Sequence, residues 1–130
     1  MKARTVLIVT DASEKTAKMA AEIVTALEGT TVTVKAASEF EGTDILPAEA
    51  FFLGCEQPAP DSFTYLTDLL KHINLAGRTC GVFSSGSDKT AEYLSALVQD
   101  SEAALNPEPF FSGSGDAVKK WVQNVISGSF

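Results

Sequence analysis

Apolar and polar positions along the chain follow two rhythms, and the switches between them lay out the secondary structure. Val6, Leu7, Ile8 and Val9 form an unbroken β-branched and leucine run, the pattern of a strand covered on both faces. Met19, Ala20, Ile23, Val24 and Leu27 then fall on one stripe at helical spacing, with Lys15, Lys18, Glu22 and Glu28 off it. Gly29 stands where a left-handed cap would close that helix. TVTVK (residues 31–35) alternates and predicts a half-exposed strand at a sheet edge. Residues 38–47 have weak periodicity and predict a loop with one helical turn near residues 43–46.

AFFLG (residues 50–54) is a second fully apolar strand, and it runs into CEQPAPDS, whose prolines forbid helix or central strand. Asp61 or Ser62 is placed to cap a helix with the stripe Phe63, Leu66, Leu69, Leu70 and Ile73, ended by Asn74-Leu75-Ala76-Gly77. TCGVF (residues 79–83) predicts a fourth strand, and Asp88 opens a helix through Tyr93, Leu94, Leu97 and Val98. Phe110-Phe111 predicts a short fifth strand. After SGSG, a last helix carries Ala117, Val118, Trp121, Val122, Val125 and Ile126. Strands and helices that alternate in this way predict an α/β sandwich of three layers, α/β/α, around a parallel sheet with right-handed crossovers. Five strands suit the order 2-1-3-4-5. With 130 residues and no internal repeat or linker, the expectation is a single domain over residues 1–130.

Charge narrows the partners. Ten Lys and Arg against 17 Asp and Glu leave a formal charge of −7, which argues against nucleic acid, where affinity comes from cations on phosphates. An acidic surface suits a partner protein with a basic docking face. No apolar run approaches the ~20 residues that span a bilayer. The N-terminal run Val6 to Val9 is shorter than the ~7 residues of a minimal signal-peptide core and is followed by acids. The expected setting is therefore cytoplasmic, away from a membrane. Cys55 and Cys80 form no CxxC and have no nearby His, so they are expected as buried free thiols.

In a sheet of this order, ligands bind beyond the carboxyl ends of the strands where strand order reverses. Three turns meet that description: Thr10-Asp11-Ala12-Ser13-Glu14-Lys15-Thr16, then Cys55-Glu56-Gln57-Pro58 with the residues up to Ser62, and Ser84-Ser85-Gly86-Ser87 before Asp88. The opening TVLIVTDASEKTAKMAAEIVTAL, and FFLGC with its proline-containing turn, resemble the flavodoxin family, and the likeness of length and element order covers nearly the whole chain. That resemblance implies a flavodoxin-like fold, FMN as cofactor and a role as a small electron carrier with a redox partner protein. It implies that the phosphate lies against the first turn, with Ser13 and Thr16 as hydroxyl donors, and that the other two turns flank the ring.

Two side chains depart from the family's S/T-x-T-G-x-T loop: Asp11 replaces a hydroxyl and Glu14 replaces the glycine. A carboxylate beside a phosphate is a like-charge contact, and Glu14 adds a Cβ where bare backbone is needed. Asp11 and Glu14 also have the spacing of a capping box, which would occupy the helix N–H groups. Neither the second nor the third turn holds the aromatic that flavodoxins stack on the ring. Phe63 and Trp121 lie on apolar stripes, and Tyr65 is expected at the surface. Two functions therefore stay open: an FMN electron carrier with altered loops, or a cofactor-free interaction or regulatory module. Both are non-catalytic. A receiver domain would need an acidic pair and a phospho-accepting Asp where Cys55-Glu56 stand. Arg4 and Arg78 lie far from any phosphatase loop, Cys55 lacks an activating cation, and His72 has neither triad nor metal cluster around it.

Overall fold

The computed structural model describes residues 5–111 and 115–130. Arg4 and most of the SGSG segment fall outside the described residues. Strand β1 (Thr5–Thr10) leads into helix α1 (Glu14–Ala26), followed by β2 (Thr31–Ala36), the single-turn α2 (Gly42–Ile45) and β3 (Ala50–Gly54). A 3₁₀ turn (Asp61–Phe63) runs into α3 (Thr64–His72), and then come β4 (Thr79–Phe83), α4 (Asp88–Gln99), β5 (Ala104–Leu105) and α5 (Asp116–Ser127). The sheet is fully parallel in the order β2-β1-β3-β4-β5, as the alternation of patterns required.

The two-residue period of the strands sorts their side chains onto two faces. Leu7, Val9, Phe51, Leu53, Cys80 and Val82 pack with Ile45, Leu66, Leu70, Leu94 and Val98 of α2, α3 and α4. Val6, Ile8, Ala50, Phe52 and Phe83 face the other way, against Met19, Ile23, Trp121, Val122 and Val125 of α1 and α5. Burying both faces is why β1 and β3 carry no alternation. Edge strand β2, by contrast, leaves Thr31, Thr33 and Val34 exposed. Gly81 makes room for α5: a Cβ there would lie 2.8 Å from Val125 and 2.9 Å from the Trp121 ring. Trp121 uses that space, stacking on Phe110 and tilting against Phe52, while its indole N–H donates to the Glu108 carbonyl at 2.8 Å.

Some boundaries differ from the sequence expectation. The fifth strand is Ala104–Leu105, not Phe110-Phe111. Phe110 keeps one bridge to Phe83, its N–H donating to Val82 O and its carbonyl accepting from Ser84 N–H, both at 3.0 Å. Pro107 and Pro109, which have no N–H to give, separate the two pairing segments. Neither Asp61 nor Ser62 caps α3: Phe63 occupies the cap position without a side-chain bond, because the 3₁₀ turn precedes it. Gly29 does take a left-handed conformation, but two residues beyond the cap residue Leu27. Val24 and Ala117, placed on apolar stripes, are exposed.

Candidate functional site

β1, β3 and β4 lie side by side, with Thr10 opposite Gly54 and Gly54 opposite Phe83. Parallel pairing therefore brings the three turns that follow them to the same edge of the sheet. β1 and β3 flank the place where strand order reverses, the position at which a crevice opens in such sheets.

The first turn is built around a carboxylate. Asp11 Oδ1 accepts from Ser13 N–H at 3.0 Å and from Ser13 Oγ–H at 2.8 Å, and Oδ2 accepts from Glu56 N–H at 2.9 Å. Ser13 Oγ also lies 2.8 Å from Thr16 Oγ1. A carboxylate only accepts, and each hydroxyl has one proton. The Ser13 proton therefore goes to Asp11, and the buried Thr16 hydroxyl donates to Ser13. Ala12 makes this possible by adopting φ 63°, an arrangement that folds the Asp11 side chain back over the turn. Thr10 Oγ1 accepts from Ala12 N–H at 3.2 Å.

The capping box expected from Asp11 and Glu14 does not form. Ser13, in extended conformation, is the cap residue of α1, no side chain caps the helix, and Glu14 is its first residue. The left-handed Ala12 turns Asp11 toward Glu56, which lies 45 residues away in sequence. The first-turn N–H groups of α1 are thus left without a side-chain cap, while the Ser13 N–H and hydroxyl are taken up by Asp11 and the Thr16 hydroxyl by Ser13. Lys15 Nζ lies 3.9 Å from Glu56 Oε1 with most of its side chain in solvent, a pair of small energetic weight.

The second and third turns are joined to each other. Ser84 Oγ donates to Cys55 O at 2.8 Å and accepts from Gly86 N–H at 2.9 Å. Thr90 Oγ1 donates to Glu56 O at 3.3 Å. Gly86 lies so close to that carbonyl that a Cβ would be 2.1 Å from Glu56 O. Glu56 is therefore held from both sides, its N–H by the first turn and its carbonyl by the third. Gln57, Pro58 and Ala59 are exposed, and Ala59 is left-handed at φ 50°. Gly86 and Ser87 face solvent, and Ser85 Oγ is buried without a hydrogen-bond partner. Thr90 was not legible as a site residue: from its position near the start of α4, only the tertiary approach of Glu56 makes it one.

Cys55 and Cys80 are free and buried, as expected. Burial, with the Asp11 carboxylate adding to it, pushes the Cys55 thiol up to about 12, so Cys55 is not a nucleophile at neutral pH. Tyr65 is at the surface but turned away from the turns: its hydroxyl accepts from Gly42 N–H at 3.1 Å and its ring lies 6.0 Å from Phe40. Phe63 is fully buried. His72 pairs loosely with Asp68 in solvent at 3.9 Å, and the Arg78 guanidinium is spent on Ala48 O and Leu46 O. Among the described residues no cluster could hold a metal ion and no helix is long and apolar enough to cross a membrane.

No protein-family model and no curated protein matches the sequence. Solved structures do match it in shape. A short-chain flavodoxin associated with a non-canonical PDU bacterial microcompartment superposes with a TM-score of 0.82 at 14% identity, covering 98% of this chain and 99% of that one. Oxidised flavodoxin 2 from Bacillus cereus gives 0.77 at 18% identity, and the flavodoxin of Streptococcus pneumonia TIGR4 gives 0.76 at 15%. Each of those two alignments covers 97% of this chain and 99% of the other. Likeness at such identity is likeness of fold, and the fold is flavodoxin-like.

Proposed function

We propose that residues 1–130 form one flavodoxin-type domain on the plan of the small FMN electron carriers, with its phosphate seat so reworked that FMN is held weakly or not at all. The architecture supports the carrier half of that reading: three turns converge at the switch point, beside a helix N-terminus whose first-turn N–H groups carry no cap. The observation that carries the other half is the Asp11 carboxylate, which holds the Ser13 N–H, the Ser13 hydroxyl and the Glu56 N–H.

The residues present do not fit a phosphate held as the S/T-x-T-G-x-T loop holds it. Thr16 and Ser13 supply hydroxyls, but both are engaged in the chain that ends on Asp11. Glu14 stands in place of the glycine, and Glu56, 3.9 Å from Lys15, adds a further carboxylate to the three turns. Neither of the ring-flanking turns offers an aromatic side chain. A cofactor-free interaction or regulatory module is favoured by one observation, that the three turns are hydrogen-bonded directly to one another. In either role the acidic chain suits a partner with a basic docking face, and the setting proposed is cytoplasmic.

Colour and titration separate the readings. Protein that purifies yellow, or binds FMN with sub-micromolar affinity, overturns the reworked seat. Saturable but weak FMN binding, followed by quenching of flavin fluorescence, supports the weakened carrier. A colourless protein that takes up no FMN in excess supports the cofactor-free module.

A further inference from the structure

We infer that Asp11 is a built-in anion that holds the Ser13 and Glu56 donors and sets the crevice against phosphate-bearing ligands in favour of uncharged ones. The inference rests on the crevice of the proposed function being the ligand site, and it names what that crevice selects. Three donors from two turns converge on one carboxylate at 2.8 to 3.0 Å. Two of them are backbone N–H groups, the kind of donor that an oxyanion ligand ordinarily receives where strands end and a helix begins. A carboxylate has about four acceptor positions, and three of these are filled by the Ser13 N–H, the Ser13 hydroxyl and the Glu56 N–H. The first-turn N–H groups of α1 stay uncapped, so the exclusion rests on the charge of Asp11.

Charge closes the seat more firmly than shape does. Around the turn stand the carboxylates of Asp11, Glu14 and Glu56, and the ammonium of Lys15 lies 3.9 Å from Glu56. A phosphate monoester would bring about two more negative charges to a place that already holds an anion on three of its donors. A ligand that carries a hydroxyl in place of the phosphate meets neither penalty. Asp11 thus acts as the specificity-determining residue of the turn.

The test compares wild type, Asp11→Ser and Asp11→Asn with three probes: FMN, riboflavin and inorganic phosphate. Asp11→Asn keeps the shape and removes the charge, and circular dichroism checks that both variants fold. The expected result is that FMN affinity rises at least tenfold in both variants while riboflavin affinity stays within twofold. Inorganic phosphate should raise the melting temperature of the variants and leave that of the wild type unmoved. If FMN gains nothing over riboflavin in either variant, or if only Asp11→Ser gains, exclusion by the charge of Asp11 is wrong. If neither flavin binds any of the three proteins, the flavin reading fails by itself. The phosphate arm then decides Asp11 alone, since phosphate protecting the variants supports the internal anion and phosphate protecting none of them overturns it.

Discussion

Replacing Gly86 by alanine adds one methyl at the point where the second and third turns meet. The backbone of Gly86 is not left-handed, so the substitution tests space and not conformational freedom. An ideal Cβ would lie 2.1 Å from Glu56 O, whereas carbon and oxygen settle no closer than about 3.3 Å. The turns must therefore separate by roughly 1.2 Å. The Glu56 peptide cannot move freely, because Asp11 holds its N–H at 2.9 Å and Thr90 reaches its carbonyl at 3.3 Å. Forced overpacking of this kind costs about 1–3 kcal/mol, and the loss of glycine's freedom in the unfolded chain returns about 0.4–1 kcal/mol. A net loss of about 1–2 kcal/mol follows, or a fall in Tm of roughly 4–8 °C for a chain of this size. Urea and thermal unfolding measure it, and amide shifts of Glu56 and Thr90 in a nitrogen-15 correlation spectrum locate it. In an Asp11→Ala background the same methyl should cost less, by about 0.5 kcal/mol or more, because Glu56 is then free to yield. A Gly86→Ala protein within about 0.5 kcal/mol of wild type, with the Glu56 amide unshifted, would refute the claim that the turns are locked together.

Other expectations follow from single features. Ala12→Gly relieves a left-handed alanine at φ 63°, a conformation worth about 1–2 kcal/mol of strain. Less about 0.4–1 kcal/mol of added unfolded-state freedom, it should stabilise the protein by about 0.5–1 kcal/mol in urea unfolding. Trp121→Phe loses the bond to Glu108 O and part of the packing on Phe52 and Phe110. A loss of about 2–3 kcal/mol is expected by chemical denaturation. The Cys55 thiol, pushed from its ordinary 9.0 up to about 12, stays protonated in the fold while the unfolded chain ionises. Below pH 9 it has no effect on stability, and between about pH 9 and 12 stability falls as pH rises, with Cys80, also pushed up by burial, adding to the fall. Denaturation midpoints from pH 8 to 11 should show that decline, and Cys55→Ala should flatten it.

Much of the fold could be read from the chain because its signals are local. A β-branched run, a stripe at helical spacing and the punctuation of glycine and proline each occupy a few consecutive residues. Together they determined the strand order and which turns end up at one edge of the sheet. Burial of both strand faces is what makes Val6 to Val9 and Ala50 to Gly54 continuous apolar runs, so those strands announced themselves. Ala104–Leu105 did not, since two residues carry no period and their pairing is decided by the free edge of β4. Phe110, apolar and visible, makes only one bridge because prolines interrupt the ladder before it.

The site divided in the same way. Asp11, Ser13, Thr16, Glu56, Ser84 and Gly86 were all legible as members of the three turns, and the chain alone determined that an acid stands in the first of them. What Asp11 does there was not legible. Its neighbours in sequence offered a capping box with Glu14, and the tertiary structure offered the Glu56 N–H instead. Only parallel pairing of β1 with β3 brings that donor within reach, just as only the approach of α4 to the second turn gives Thr90 its place on Glu56 O. A side chain's type is written locally. Its partner is chosen among donors that folding delivers from far along the chain, and that choice made Asp11 a link between turns and not a helix cap.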